Sequence, residues 1–147
     1  MNLESLLAER EIQQVLYRYA WACDERDWSG FDKVFAEDVE ADFAGLIQLQ
    51  GRVAIVASIQ SMLGGCGPSQ HLMGNPEVGV EGDGALARVY IRAFHRGAGE
   101  KAHLTYECFG EYRASLRKLP EGWRVVHWAM RVEAETGTQE EIGRAHV

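Results

Sequence analysis

Four long segments of alternating apolar residues constrain the fold of this chain more than any other feature. Each is followed by a turn rich in Gly or by the end of the series, and they cover residues 70–80, 85–95, 103–117 and 123–133. Gly-rich turns favour hairpin connections, and consecutive strands of this length pair as a strongly twisted antiparallel meander. The second half of the chain is therefore predicted to form one curved sheet.

The first third of the chain is predicted to be mostly helical. Over residues 3–23 the apolar side chains recur at intervals of three and four, which is typical of one buried helix face. Asn2 is a candidate N-cap for this helix. Asp27 is a candidate cap for a second, shorter helix over residues 28–35.

A short hairpin and a third helix are expected between these two halves. Residues 38–43 and 46–50 alternate around Gly45, as in two short paired strands. The third helix is predicted over residues 52–63, and its end is marked by a pair of glycines. Its inward side chains are predicted to be Val53, Val56 and Ile59. The following residues, 64–67, are expected to form a flexible lid over a pocket.

Helices followed by strands predict a single α+β domain over residues 1–135. We expect a cone-shaped, strongly curved mixed or antiparallel sheet wrapped around the N-terminal helices, enclosing one apolar pocket. A chain of 147 residues is long enough to bury such a core. Residues 136–147 are expected to be a disordered tail. Residues 142–147 resemble a translated sequencing-library adapter, which would place the native C-terminus elsewhere, so they are left out of functional reasoning.

The charge of the chain argues against two classes of partner. A net charge of -7 at pH 7 disfavours nucleic acid and anionic membrane surfaces, which require a basic face. No segment is long and apolar enough for a membrane span, and residues 1–10 lack the apolar region of a secretory signal. Three cysteines without a C-x-x-C spacing suit reduced thiols. A cytoplasmic location is expected.

Four segments together carry a resemblance to a known family: residues 19–28 (YAWACDERDW), 71–76 (HLMGNP), 82–87 (GDGALA) and 122–125 (GWRV). In this order and spacing they resemble the SnoaL-like family of the nuclear transport factor 2-like superfamily, over residues 3–135. Members include scytalone dehydratase, hexachlorocyclohexane dehydrochlorinase, bile-acid dehydratase, polyketide cyclases, ketosteroid isomerase-like enzymes and the non-catalytic small subunits of ring-hydroxylating dioxygenases. The resemblance implies the cone fold, but the fold does not determine the function.

The resemblance implies a catalytic pair, Asp24 and His71. A carboxylate that accepts one ring N–H of a histidine fixes the tautomer and leaves the other nitrogen as a base near neutral pH. Tyr19 matches a pocket position of related enzymes, where its hydroxyl would stabilise developing charge. Each residue has a plainer interpretation: Asp24 as the start of a turn, His71 as a structural histidine, and Tyr19 as a core residue.

Four further side chains are candidates for binding the substrate. Trp128 and Met130 on the last strand suggest an adaptable wall for a flat hydrophobic molecule, although Met130 could equally be core. Met73 shares strand parity with His71, and Phe43 completes the set. Asn75 has the same parity, but its position before a proline favours a bulge or turn. Arg131 is expected on the opposite face, which argues against an anion clamp.

These residues predict a cofactor-independent lyase, a dehydratase or related enzyme, acting on a small hydrophobic cyclic substrate. No cofactor or metal is expected, because the other histidines lack a metal-ligand spacing and no nucleotide-binding motif occurs. The alternatives are a ketosteroid isomerase-like or polyketide cyclase-like enzyme, or a non-catalytic binding or assembly module such as a dioxygenase small subunit.

A homo-oligomer is also expected, with a trimer favoured over a dimer because the catalytic pair matches the dehydratase-type members. The last strand offers two sets of outward side chains, both apolar enough to require a partner surface. The outer face is predicted to carry either Trp123, Val125 and His127 or Val126, Trp128 and Met130.

Overall fold

The computed structural model describes residues 2–139. Two α-helices and six strands make up the fold, with short 3-10 helices at Trp28–Lys33 and Gly99–Lys101. The elements in chain order are α1 (Leu3–Glu25), β1 (Phe35–Phe43), β2 (Ile47–Gln50), α2 (Arg52–Leu63), β3 (Cys66–Glu81), β4 (Gly84–Gly97), β5 (Thr105–Leu119) and β6 (Gly122–Gly137). The predicted helical front and strand-rich back are confirmed.

Both ends of α1 are set by local hydrogen bonds. The Asn2 side chain accepts from the Ser5 amide at 2.8 Å, and the Ser5 hydroxyl accepts from the Asn2 amide at 3.1 Å, which confirms the N-cap as a capping box. The helix ends at Arg26, which adopts a left-handed conformation with φ 54°. Asp27 then accepts from the Gly30 amide at 3.2 Å and caps the first 3-10 helix. This element is shorter than predicted, because Phe35 already belongs to β1.

The inward face of α2 agrees with the prediction in part. Ile59 is buried as predicted and Val56 is partly buried against the core, but Val53 is 85% exposed, and Ile55 and Leu63 are buried in addition. Apolar residues lie on all sides of this helix, so more than one apolar stripe can be drawn along it. Packing against the core selects the stripe in which residues recur at intervals of four. The β1–β2 hairpin agrees with the prediction, since Phe43 pairs with Ile47.

The sheet has the strand order β2-β1-β6-β5-β4-β3. Strands β3 to β6 form the predicted antiparallel meander, and β1 joins its end by pairing in parallel with β6. The sheet is curved and remains open, and the buried face of α1 packs with α2 against its inner side. Nowhere in residues 2–139 does a helix have the length and apolar character to cross a membrane.

Several register shifts in the sheet change which side chains face inward, and two of them bear on the sequence predictions. Asn75 has φ 54° and lies where the β3–β4 register shifts between Gly74 and Glu77, which confirms the predicted bulge. The second bulge is at Val126, because Ser115 pairs with His127 while Leu116 pairs with Val125.

The bulge at Val126 makes both predicted outward sets wrong. An extra residue reverses the alternation along β6, so Trp123, Val125 and Trp128 all point into the core and are at most 2% exposed. The outer face instead carries exposed ion pairs such as Arg92–Glu107 and Arg131–Glu133. The apolar patch predicted on β6 therefore no longer supports self-association, and the trimer stays a prediction from the family resemblance.

Strand β6 also continues beyond the predicted domain end. It reaches Gly137, and the Thr138 amide donates to the Thr105 carbonyl at 3.0 Å. The first residues of the expected tail are therefore part of the sheet. The segment that resembles an adapter, residues 142–147, lies outside the described residues.

Candidate active site

A cavity of about 170 Å³ lies at the open end of the cone, between the helices and the inner face of the sheet. Most of its wall is apolar, from residues such as Phe43, Ile59 and Leu63. Two histidines, two cysteines and three tyrosines also reach it. A larger groove of about 470 Å³ lies at the other end, beside the start of α1 and the β3–β4 turn, but it is open to solvent and no histidine or cysteine lines it.

His71 lines this cavity, and Asp24, which is not part of the cavity wall, is in hydrogen-bond contact with His71. The His71 Nδ1 and Asp24 Oδ1 atoms lie 2.8 Å apart, which is within the range expected for an oriented base. The His71 backbone amide also donates to Asp24 Oδ2 at 2.8 Å, and the Ser69 hydroxyl donates to Oδ1 at 2.9 Å. Three donors from β3 therefore hold one carboxylate at the end of α1.

These donors determine the charge of Asp24. Partial burial by itself would raise the pKa of Asp24, but the hydrogen bonds from the His71 ring, the His71 amide and Ser69 outweigh it and lower the pKa below its ordinary value. An ionised carboxylate can only accept, so Nδ1 of His71 carries the proton in this contact. The other ring nitrogen, Nε2, is left for proton transfer, in a side chain only 6% exposed.

Arg26 fixes the backbone around this pair. Its guanidinium donates to the Gly67 carbonyl at 2.6 Å, to the Ser69 hydroxyl at 2.7 Å and to the Cys23 carbonyl at 2.8 Å. Cys66 and Gly67 are already part of β3. A Cβ at Gly67 would lie 2.7 Å from the Gly97 carbonyl oxygen. The expectation of a flexible lid over residues 64–67 is therefore wrong, because its second half is paired and clamped by Arg26.

Tyr19 lines the cavity together with Tyr112. Their hydroxyl oxygens lie 3.3 Å apart, and burial raises the pKa of both phenols well above the ordinary value, so both stay neutral. The Tyr19 ring stands edge-on to the His71 ring, with centroids 6.3 Å apart. Of the three residues predicted to be catalytic, Tyr19 and His71 therefore line the cavity, and Asp24 contacts His71.

The predicted substrate-binding residues divide into two groups. Phe43 and Met130 line the cavity. Trp128 is fully buried behind it, where its ring stacks on Tyr112 at 4.4 Å and lies 4.7 Å from the Tyr19 ring. Met73 is partly buried against the core and also lies outside the cavity wall. The prediction for Trp128 is therefore wrong. The bulge at Val126 turns its ring into the core, where it packs against Tyr19 and Tyr112 and does not reach the cavity.

The cavity is also lined by three polar residues that were not predicted from the sequence: His95, Tyr106 and Glu135. His95 is 4% exposed, its ring stands edge-on to His71 with centroids 5.6 Å apart, and its Nδ1 lies 3.2 Å from the Tyr106 carbonyl oxygen. The Tyr106 hydroxyl donates to Glu135 Oε1 at 2.5 Å. The signal for His95 was its parity, since it continues the inward row of Val89, Ile91 and Ala93.

Together these residues form a polar row across the inner face of the sheet. His71, His95, Tyr106 and Glu135 belong to β3, β4, β5 and β6, which are successive neighbours. Arg131 lies on the other face, with a side chain 69% exposed that pairs with Glu133 at 2.7 Å. This confirms its predicted orientation. Over residues 2–139, no Lys or Arg lines the cavity and no group of three potential ligands is placed to hold a metal.

Comparison with known proteins places the chain in a family. A family model described as the SnoaL-like domain matches residues 4–129. An uncharacterized protein of Mycobacterium tuberculosis is 32% identical over 117 residues, which cover 79% of this chain and 79% of that protein.

Two solved structures from Novosphingobium aromaticivorans share the fold. A candidate aromatic ring hydroxylase has a TM-score of 0.81 at 26% identity, covering 97% of this chain and 99% of that chain. A candidate scytalone dehydratase has a TM-score of 0.82 at 21% identity, covering 91% of this chain and 89% of that chain. With a family model that matches most of its length, this chain belongs to the SnoaL-like family of the nuclear transport factor 2-like superfamily.

Proposed function

We propose that this protein is a cofactor-independent lyase that removes water, or another small leaving group, from a small hydrophobic cyclic substrate. The observation that carries the proposal is the 2.8 Å contact between Asp24 and His71 at the wall of a largely apolar cavity. Active sites commonly place a histidine base beside an orienting carboxylate in a site that excludes water.

In this reaction Nε2 of His71 takes a proton from a carbon next to a carbonyl group. The C–H electron pair forms the new double bond, and the leaving group departs from the neighbouring carbon with its own bonding pair. Asp24 stabilises the imidazolium that forms, because its carboxylate stays ionised. Tyr19, a neutral phenol, donates a hydrogen bond to the charge that develops on the carbonyl oxygen.

His95 supplies the second proton-transfer group. Its ring meets the His71 ring at 5.6 Å from the neighbouring strand, so a substrate between the helices and the sheet contacts both. The carbonyl of Tyr106 can only accept, so Nδ1 of His95 carries a proton and its orientation is fixed. When Nε2 of His95 also carries a proton, that proton passes to the departing hydroxyl, which leaves as water. His95 then takes up a proton from solvent, and His71 releases to solvent the proton that it took from carbon.

The structure described as a candidate scytalone dehydratase supports this proposal, since that name denotes the removal of water. At 21% identity it shows a shared fold, and the geometry of Asp24 and His71 supports the proposed chemistry. Proton abstraction next to a carbonyl would also begin an isomerisation or a cyclisation, so the proposed chemistry is tested at that first step.

Solvent exchange tests this step directly. The wild-type protein is expected to catalyse exchange of the α-hydrogens of 3-hydroxycyclohexanone in D₂O, followed by NMR, and to release cyclohexenone, followed by ultraviolet absorbance. His71→Ala should lower the exchange rate at least about a hundredfold, as loss of a general base does. Exchange that persists in His71→Ala would place the base elsewhere, and no exchange by the wild type with any cyclic ketone would refute the lyase.

A second candidate function is a non-catalytic subunit of a ring-hydroxylating system. The similarity to a candidate aromatic ring hydroxylase at 26% identity over almost the whole chain favours it. This function requires neither exchange activity nor the Asp24–His71 contact. It would be supported by a large oxygenase subunit that co-purifies with the native protein, combined with the absence of exchange. The proposed homotrimer would be measured in the same preparation by light scattering.

A further inference from the structure

The polar row ends, on β6, in a carboxylate that the proposed reaction does not use. Glu135 is exposed on one side and lines the cavity on the other. Its Oε1 accepts the hydrogen bond of Tyr106, a side chain only 5% exposed, at 2.5 Å. Tyr106 also stacks on the His95 ring with centroids 5.4 Å apart. The carboxylate is therefore held at the cavity by a buried phenol.

We propose that Glu135, held by Tyr106, is a binding subsite for a hydroxyl group, and that the substrate is an uncharged single-ring molecule that carries this hydroxyl. The inference names the substrate class of the site described above and so rests on the proposed lyase. The contact between Glu135 and Tyr106, the charge of the cavity wall and the cavity volume support it independently.

The Glu135 carboxylate favours a ligand group that donates a hydrogen bond. The hydroxyl of Tyr106 occupies only part of the acceptor capacity of the carboxylate, which has two oxygens and no proton to give. A ligand group that completes this site must donate. A hydroxyl bound to a carboxylate makes a charge-assisted hydrogen bond, about twice as strong as a neutral one.

The charge of the cavity wall excludes anions. Glu135 contributes a carboxylate to the cavity wall, and none of the lining side chains among residues 2–139 is Lys or Arg. A carboxylate, phosphate or coenzyme A thioester would meet this like charge without a compensating cation. In a site of low dielectric this repulsion costs more than it does in water.

The cavity volume limits the ring system. About 170 Å³ is available, and an apolar cavity of about 150 Å³ holds one benzene molecule. One six-membered ring with small substituents fits this space, whereas two fused rings exceed it. Met62 of α2 lies in the wall, and its long flexible side chain is the part most easily shortened without loss of a buried polar group.

A set of inert ring compounds tests the inference by calorimetric titration of the full-length wild-type protein. Phenol is expected to bind at least about tenfold more tightly than anisole, which has the same ring but no hydrogen to donate. Benzoate and 2-naphthol are expected not to bind. The proposal is overturned if anisole matches phenol, if benzoate binds as well as phenol, or if 2-naphthol does. Benzylamine that binds more tightly than phenol would replace the hydroxyl by a cationic amine and equally overturn it.

Four variants test which residues produce these binding preferences. Glu135→Leu is expected to abolish the difference between phenol and anisole, while Glu133→Leu, on the outer face of the same strand, keeps it. Tyr106→Phe should reduce the difference without removing it, because the carboxylate remains but loses its anchor. Met62→Ala should admit 2-naphthol. A phenol preference that survives in Glu135→Leu places the subsite elsewhere.

The outcome is separable from that of the proposed reaction. His71→Ala removes the base but leaves Glu135 and Tyr106 in place, so it should retain the preference for phenol. If this preference is present but the wild type catalyses no exchange, the lyase is wrong and the subsite stands. If exchange depends on His71 but phenol and anisole bind equally, the subsite alone is wrong.

Discussion

The two faces of the sheet use ionisable side chains in opposite ways. On the inner side, His71 and the Asp24 carboxylate are largely shielded, and the carboxylate accepts three short hydrogen bonds, two from His71 and one from Ser69. On the outer face, Arg92–Glu107 and Arg131–Glu133 are ion pairs in which at least one partner is more than half exposed. One sheet carries His71 and both ion pairs, and the alternation of side chains along its strands separates the inner side chains from the outer ones.

This difference shows where ionisable groups are significant in this protein. Exposed ion pairs contribute little, because water screens the attraction and ordering two long side chains costs entropy. A partly buried carboxylate with fixed donors has a shifted pKa and a defined orientation, which are the properties that acid–base chemistry requires. We therefore expect substitutions on the inner face to change activity strongly, and matched substitutions on the outer face to change little.

The largest effect is expected from Asp24 and His71, the proposed catalytic pair. Asp24→Asn and His71→Ala should each lower turnover at least about a hundredfold. The double variant should lose about as much as His71→Ala alone, because the two residues act as a unit. His127→Ala, an exposed histidine on the outer face of β6, is the matched control and should keep wild-type turnover. Losses that multiply in the double variant, or a loss below threefold in His71→Ala, would contradict the pair.

A smaller effect is expected from Ser69→Ala. This change removes one of the hydrogen bonds that lower the pKa of Asp24 and leaves the contacts from His71 intact. Turnover should fall roughly tenfold, the range of one hydrogen bond to a charged group, with little change in KM. The acidic limb of the pH–rate profile should move to higher pH, which a purely structural defect would not produce. Ser115→Ala on the outer side of β5 should leave the profile unchanged.

The pH dependence of stability should also separate the faces. The pKa of Asp24 is lowered in the folded protein, so its contribution is present above the unfolded value of about 3.9 and is lost as the pH falls through the folded pKa. In urea denaturation, the destabilisation caused by Asp24→Asn should therefore shrink from pH 7 to pH 3. Asp38→Asn breaks an exposed ion pair with Arg117 and should show no such trend. A constant difference for Asp24→Asn would contradict this linkage.

The smallest effect is expected on the outer face itself. Arg131→Ala removes an exposed ion pair with Glu133 and should change the free energy of unfolding by less than about 1 kcal/mol, with unchanged turnover. Denaturant titration and a turnover assay measure both quantities. A loss above about 2 kcal/mol would mean that this surface is covered in solution, and light scattering on the same sample would then identify a self-association that Arg131 stabilises.

Much of the fold was predictable because it depends on local patterns. The capping box at Asn2, the glycine-rich turns and the long alternating segments act within a few residues of one another. The catalytic pair was predicted from a resemblance, since 47 residues separate Asp24 from His71 and no local pattern brings them together. His95 was visible as a polar residue in an apolar row, but its significance depends on what lies beside it on β3 and β5.

Two errors have the same physical origin. Val125 and Val126 are equally apolar, so the sequence does not reveal which of them the bulge takes out of register. Similarly, α2 has apolar residues on more than one side, and residue type alone does not show whether Val53 or Ile55 is buried. In both places the choice follows from which partners the element meets, a property of the assembled core.

The sequence by itself determined the elements of this protein, their order and the acidic character that disfavours nucleic acid, because these depend on residue type and near neighbours. Only the tertiary structure decided the cavity. Its volume of about 170 Å³, the withdrawal of Trp128 behind the tyrosines, and the row from His71 to Glu135 arise when four strands align side by side. That alignment is fixed by bulges and long-range packing, whose energies are shared among residues far apart in the chain.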